Sequence, residues 1–159
     1  MEAFLIRLLK ETEVHLILPL SRQVNDLHVA EMPNVFRNDA TEAEVAAFFT
    51  EKMSEGARIF VAEQESTVQG YLLALPVQRA ANPFQRATRY IEMDQISIDR
   101  AHRGKGIGKA LVQAMETWMR AQNYSHWKSS VYLFNEASNA LMRGQGASAT
   151  LTRYGKAIG

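Results

Sequence analysis

The chain has 159 residues and no cysteine, and its 18 Lys and Arg against 17 Asp and Glu give a formal net charge of +1. This length predicts one domain over residues 1–159 with its own hydrophobic core. The absence of cysteine excludes disulfides, thiolate-bound zinc and a cysteine nucleophile. The balanced charge argues against nucleic acid as a partner, so any anion site must be local.

The N-terminal residues argue against an export signal. Met1 to Arg7 include the acidic Glu2 where a secretory signal has positive charge. Apolar runs such as Leu16 to Leu18 are far shorter than the roughly 18 residues that a membrane span needs. We therefore expect a cytoplasmic protein with no membrane partner.

Residue spacing predicts the elements of the first third of the chain. A strand is expected over Phe4–Leu9 and a helix over Leu20–Ala30. A second helix begins at Thr41, which forms a capping box with Glu44, and it stops at Gly56.

Three strands are predicted next. Arg58–Glu63 and Val68–Val77 are rich in β-branched and aromatic residues, and the polar segment between them indicates an antiparallel hairpin. A polar loop follows, and Thr88–Ile98 then has the alternation of a long strand.

The last part of the chain returns to helical spacing. An amphipathic helix is predicted from Ile107 to about Asn123, then a strand over Lys128–Leu133. A short helix over Glu136–Arg143 and a final strand over Ser148–Tyr154 complete the order βααβββαβαβ.

A glycine-rich turn joins the long strand directly to the amphipathic helix. Its glycines are Gly104, Gly106 and Gly108. The first amides of a helix lack internal partners and the helix dipole favours an anion there, while glycines allow a phosphate close to the backbone. The basic side chains around the turn are Arg100, His102, Arg103, Lys105 and Lys109. This pattern predicts a pyrophosphate site.

Two other phosphate motifs fail on spacing. A dinucleotide fingerprint would need glycine where Lys109 stands, and a P-loop would need Ser or Thr after Lys105, where Gly106 stands. The remaining structural alternative is a plain tight turn with solvated cations.

Arg103, Gly106 and Gly108 have the spacing of a known motif. The segment resembles the acetyl-CoA motif of the GNAT superfamily of N-acetyltransferases, and Val131 with Asn135 is similar to the second cofactor motif of that family. The resemblance covers nearly the whole chain and includes the order of elements. It implies an α/β (α+β) domain with the GNAT-like acyl-CoA N-acyltransferase fold, in which helices flank a central, twisted, mixed and mostly antiparallel sheet.

The resemblance also implies acetyl-CoA as co-substrate. In the family, the pantetheine arm pairs with the exposed backbone of the long strand, glycine-turn amides bind pyrophosphate, and asparagines contact pantetheine or adenosine. The implied cofactor-binding residues are Ile96, Ser97, Ile98, Arg103, Gly104, Lys105, Gly106, Ile107, Gly108, Lys109, Asn135 and Asn139.

The family's chemistry is direct attack of an amine on the thioester, which requires the ammonium, with a pKa of about 10.4, to lose a proton. The resemblance assigns this work to Glu92 and Asp94, which alternation places on one strand face with Ile96 and Ile98. We favour Glu92 as base and Asp94 as amine-binding group or substitute base. The alternative is that either is a solvated surface acid.

One departure from the family raises a second function. Met142 and Ala147 stand where many members have a tyrosine acid and an aromatic residue. Tyr132 is a candidate substitute acid, with a packing role as its alternative. The departure makes a catalytically silent acyl-CoA-binding module or regulator the alternative function, with a nucleotide-binding fold ranked last.

The acceptor is expected to be a primary amine of a small molecule or peptide. By resemblance, the connection between the first two helices roofs its site, and the substrate-binding candidates are His28, Glu31, Met32 and Phe36. The 82–86 loop is a further candidate. The histidines show no metal-ligand spacing, so no metal is expected, and a homodimer is expected only because relatives often form one.

Overall fold

A computed structural model describes residues 3–159; Met1 and Glu2, on which part of the N-terminal prediction depends, lie outside the described residues. Five strands form one sheet in the order β1 to β5. The strands are β1 (Leu5–Leu8), β2 (Arg58–Gln64), β3 (Thr67–Arg79), β4 (Thr88–Ile98) and β5 (Trp127–Lys128). The α-helices are α1 (Leu18–Glu31), α2 (Glu42–Ser54), α3 (Ile107–Ala121) and α4 (Glu136–Gly144).

The sheet is mixed and mostly antiparallel, which confirms the fold prediction. Strands β1 to β4 pair antiparallel with their neighbours, whereas β5 runs parallel to β4. The β2–β3 hairpin turns at Glu65 and Ser66, whose φ angles of 49° and 65° suit a tight hairpin between right-twisted strands.

Both faces of the sheet are covered by helices. On one face, α3 packs against an apolar layer that includes Leu72, Ile91 and Met93. On the other face, α1, α2 and a 3-10 helix over Glu11–Ile17 cover a second layer that includes Leu73. No helix among residues 3–159 is both long and apolar enough to cross a membrane.

Two predicted strands differ from the structure. The strand expected over Lys128–Leu133 is instead the two-residue β5, after which the chain turns away from β4. The final strand over Ser148–Tyr154 is wrong, because these residues form no strand and are exposed. A two-residue edge offers little ladder for pairing, and β propensity acts only where a strand packs and pairs.

A β-bulge in β4 changes which side chains share a face. Leu73 pairs with Gln95 and Ala74 with Met93, which leaves Asp94 as an extra residue on β4. A bulge interrupts simple alternation. The predicted grouping of the two acids with Ile96 and Ile98 is therefore wrong.

Beyond the bulge, Ile96 and Ile98 pack with Ile91 and Met93 in the apolar layer under α3. The bulge thus keeps apolar side chains on the α3 face along the whole strand, and it leaves Glu92 outside that apolar layer.

Candidate active site

The site lies where β4 and β5 separate. The two strands pair only at Ile91 with Trp127 and at Glu92 with Lys128. Next, the Ser129 hydroxyl donates to the Met93 carbonyl over 2.8 Å. Beyond that bond, a cavity of about 1030 Å³ opens among β4, α1, the segment before and into α2, and residues 129–142.

The free edge of β4 presents backbone groups along this opening. Asp99 N–H donates to the Gln69 carbonyl over 2.8 Å. Hydrogen-bonded pairs alternate along an antiparallel ladder, so Ser97 faces β3, whereas the backbones of Ile96 and Ile98 face the free edge. Of the three predicted pantetheine-pairing residues, two therefore offer backbone groups there.

Ser97 serves the opposite side of the strand. Its buried hydroxyl donates to the Leu20 carbonyl over 2.8 Å, which ties β4 to α1. A sequence motif that selects Ser97 by position does not reveal this packing role.

The glycine turn leads from the same strand end into α3. Gly104 and Gly106 have φ angles of +77° and +83°, a left-handed conformation that favours glycine. A Cβ built at either position meets nothing within 4 Å, so open space borders the backbone there. The first helical bond runs from Ala110 N–H to the Gly106 carbonyl, which leaves the 107–109 amides at the helix start for an anion.

The next two residues of the motif have packing roles. A Cβ at Gly108 would lie 3.2 Å from Leu141 Cδ2, so this glycine lets α4 approach α3 closely. Ile107 is buried, and its Cγ2 would lie 3.0 Å from a Cβ built at Gly70. Arg103, Lys105 and Lys109 are exposed at the surface of the turn.

Asp99, which sequence reasoning missed, organises the start of this turn. One carboxylate oxygen lies 2.9 Å from His102 Nδ1, and the other accepts from Ala101 N–H over 3.4 Å. A capping acid one residue after a strand is the sequence signal that identifies it.

Asn135 and Asn139 shape the opposite wall. The Asn135 side chain accepts from Ser138 N–H over 3.2 Å and caps α4, and Asn135 also lines the cavity. The Asn139 amide donates to the carbonyls of Tyr132 and Asn135 over 3.0 and 2.9 Å. Asn139 does not line the cavity, so its visible role is to hold the turn.

The two predicted acids occupy different positions. Asp94, at the bulge, lines the cavity, whereas Glu92 does not. The Asp94 side chain is exposed to the cavity, and partial loss of bulk water around its carboxylate raises its pKa, against the opposing charge of Lys52 and a hydrogen bond from Gln95. The cavity therefore holds a carboxylate that binds protons more readily than a fully solvated aspartate.

Glu92 is half-buried beside Asp94. Burial first, and then the charge of Asp94, raise the pKa of Glu92, while Lys128 and Arg79 oppose the shift. The charge of Asp94 therefore adds to the proton affinity of Glu92.

An aromatic cluster closes the α1 side of the cavity. The His28 ring lies 4.9 Å from Phe36, 5.6 Å from Tyr132 and 5.4 Å from Phe134, all edge-on. His28, Phe36 and Tyr132 line the cavity, and so does Met142. Tyr132 thus lies in the same cavity as Met142, which stands where the resemblance implied a tyrosine.

The other two acceptor candidates lie elsewhere. Glu31 is exposed at the end of α1, and Met32 N–H closes that helix by donating to the His28 carbonyl over 2.8 Å. Neither lines the cavity, which instead receives Arg22 and Asn25 from α1. Sequence reasoning missed these two because they show no chemical pattern in isolation. Among residues 3–159, no group of three or more His, Asp or Glu could hold a metal ion.

Solved structures share this architecture. A tetramutant of the BH1408 protein from Bacillus halodurans matches with a TM-score of 0.87 at 19% identity, over 97% of this chain and 99% of that one. AAC(6')-Iy in complex with the bisubstrate analogue CoA-S-monomethyl-acetylneamine matches with a TM-score of 0.75 at 16% identity, over 98% and 99%. At these identities the likeness shows the fold.

Curated relatives match part of the chain. Human N-acetyltransferase 8B is 41% identical over 70 residues, which are 44% of this chain and 29% of that protein. N-acetyltransferase 8F1 of Rattus norvegicus is 28% identical over 95 residues, which are 60% of this chain and 41% of that protein. The chain thus matches less than half the length of these relatives.

A sequence profile described as the acetyltransferase (GNAT) family matches residues 22–147, which include the free edge of β4, the glycine turn and most of the cavity wall. Together with the mixed sheet that separates at β5, this match assigns the family. The chain belongs to the GNAT family of acetyltransferases.

Proposed function

We propose that this chain is an N-acetyltransferase that transfers the acetyl group of acetyl-CoA directly to a primary amine of a small molecule or peptide. The observation that supports it best is the continuity of the free β4 edge. The edge passes Asp94 at the cavity wall, exposes Ile96 and Ile98, and leads into the glycine turn before α3. A long cofactor with a reactive end and a pyrophosphate fits this arrangement.

The cofactor residues have distinct roles in the proposal. Backbone groups of Ile96 and Ile98 pair with the pantetheine arm, and the amides at the start of α3 bind pyrophosphate. The exposed Arg103 and Lys109 add positive charge near the phosphates. Asn135, the N-cap of α4, lines the cavity and contacts the pantetheine arm in this proposal.

The carboxylates handle the acceptor's proton. A primary ammonium binds at Asp94 and loses one proton to it, and the neutral nitrogen then attacks the thioester carbon. The carbon–sulfur bond breaks as the amide forms, and the second nitrogen proton neutralises the departing thiolate. A raised carboxylate pKa suits this task because it brings the proton affinity of the base closer to that of the amine.

Access to the cavity leads us to propose Asp94 as the base in place of Glu92. Glu92 is the base favoured from sequence, but Asp94 is the carboxylate on the cavity wall. In the proposal, Asp94 contacts the amine and Glu92 lies beside it as a second negative charge. Tyr132 is the candidate relay for the second proton, since Met142 has no proton to give: its hydroxyl donates to the thiolate and takes up the second nitrogen proton in exchange.

The alternative function is a silent acyl-CoA-binding module or regulator, which Met142 favours. Release of free CoA thiol across a panel of aryl-alkyl amines, polyamines, aminoglycosides and peptides separates the two. Turnover with any amine, at a much lower rate in Asp94→Asn, supports the enzyme. Tight acetyl-CoA binding with no thiol release from any member of the panel supports the silent module.

A further inference from the structure

Gln23 of α1 contacts both the end of β4 and the start of the glycine turn. Its amide nitrogen donates to the Ile98 carbonyl over 2.8 Å and lies 3.4 Å from Ser97 Oγ. Its amide oxygen accepts from Arg100 N–H over 3.3 Å. One side chain thus uses both donor and acceptor on backbone more than seventy residues away in sequence.

The bond to Ile98 limits the free edge. The Ile98 carbonyl faces away from β3, where an added strand would next pair. Gln23 occupies that carbonyl, which leaves both backbone groups of Ile96 and the N–H of Ile98 for an incoming chain. Gln23 therefore caps the edge and sets the point at which pairing stops.

The hydrogen bond from Arg100 N–H to Gln23 holds the segment that follows β4. Arg100 begins the short 3-10 turn that leads to the glycines, and Asp99 holds the next backbone amide and His102. The chain between the free edge and the helix start is thus held from α1 and from its own acid.

The same helix also faces the acceptor side of the cavity. Ser21, Arg22, Val24, Asn25 and His28 of α1 line it. Gln23 connects this wall to the cofactor edge, because its neighbours on either side contact the cavity while its own side chain holds β4.

We propose that Gln23 is a positioning residue for acetyl-CoA, which holds the end of the β4 edge and the start of the pyrophosphate turn in register. This inference rests on the proposed function. No sequence motif indicates it, since an isolated glutamine on a helix usually faces solvent.

The test measures CoA binding by calorimetry in Gln23→Met, with Gln113→Met on the exposed face of α3 as matched control. Loss of both hydrogen bonds should raise the CoA Kd about tenfold, while the control stays within about twofold. Adenosine 3′,5′-bisphosphate lacks the pantetheine arm and loses only the contribution of Gln23 to the turn, so its binding should weaken by less than about threefold.

Gln23→Glu provides a second variant if the methionine variant folds poorly. It keeps an acceptor for Arg100 N–H but sets a carboxylate against the Ile98 carbonyl, so CoA should again bind more weakly. A CoA Kd unchanged in both folded variants, or equal weakening of both ligands, would overturn the inference. Failure of the wild-type protein to bind CoA would instead overturn the proposed function.

Discussion

Asp94 stands out among the residues of the site because the bulge that exposes it also removes it from the β3 ladder. The side chain is thereby aimed at the cavity instead of at a strand neighbour. Alternation alone placed both acids on one face, since a one-residue insertion leaves no mark in a single sequence. The acids themselves were predictable from the family motif; their unequal access to the cavity was not.

Asp94→Asn should lower the turnover rate by about 10²-fold to 10⁴-fold, the usual range for loss of a general base. Activity of the wild type should fall as the pH drops through the raised pKa of the carboxyl pair, because the base is then protonated. Rates of wild type, Asp94→Asn and Glu92→Gln measured across pH check this. An unchanged rate and profile in both variants would contradict the assignment.

Asp94→Asn should also raise the stability of the folded protein at neutral pH. The pKa of Asp94 is raised in the folded state, so the unfolded chain releases this proton first as pH rises. Folding stability is therefore lost across the interval between the unfolded and folded pKa values, and this loss is complete above it. The melting temperature of Asp94→Asn should exceed that of wild type near pH 7 and match it near pH 3.

Asp26→Asn, on the exposed side of α1, controls for the removal of one negative charge. An Asp94→Asn melting temperature at or below that of wild type at neutral pH would show that the carboxylate is not desolvated in the folded protein.

Asn135 combines a cap with a place on the cavity wall. Asn135→Ala should lower the free energy of unfolding by about 1 kcal/mol, whereas Asn135→Asp keeps the acceptor for Ser138 N–H and should stay close to wild type. Thermal melts of both variants check this. Equal destabilisation by Ala and Asp would mean that the cap is not the stabilising contact.

The glycine turn is the element whose sequence and structure agree most closely. Its strand-to-helix setting was predicted from the change in residue periodicity, and the structure adds that Gly104 and Gly106 have left-handed φ angles. The motif does not separate conformational glycines from packing ones, because that distinction depends on Leu141 of α4 lying against Gly108.

Gly106→Glu should abolish detectable acetyl-CoA binding, because a side chain and a negative charge would enter the open space beside the helix start, at a residue with φ of +83°. Gly155→Glu, in the exposed C-terminal segment, is the matched control and should bind like wild type. Calorimetric titration of both variants checks this, with circular dichroism to confirm folding. Retained acetyl-CoA binding in folded Gly106→Glu would show that this turn is not the phosphate site.

The shortness of β5 was not predictable from local patterns. Residues 128–133 include Val131 and Tyr132, which favour strands. The hydrogen bond from the Ser129 hydroxyl to Met93 and the turn before Asn135 nevertheless lead the chain away from β4. That departure opens the cavity, so the prediction failed where the proposed function requires an irregular backbone.

For the molecule as a whole, the sequence was sufficient to predict the family, the mixed sheet and the position of the glycine turn. Each of these depends on a local motif or on the order of elements. The hydrogen bond from Gln23 of α1 to the free edge of β4 is a contact between distant segments, which a single sequence does not reveal. The exposed C-terminal segment shows the same limit, because its strand-like composition finds no partner in the sheet.

Calorimetric titration of acetyl-CoA into the wild-type protein tests the central claim most directly. We predict saturable one-to-one binding with a Kd below about 1 mM, the upper end of ordinary substrate affinities. No binding of acetyl-CoA at concentrations near 1 mM would contradict the claim that this cavity and turn bind an acyl-CoA.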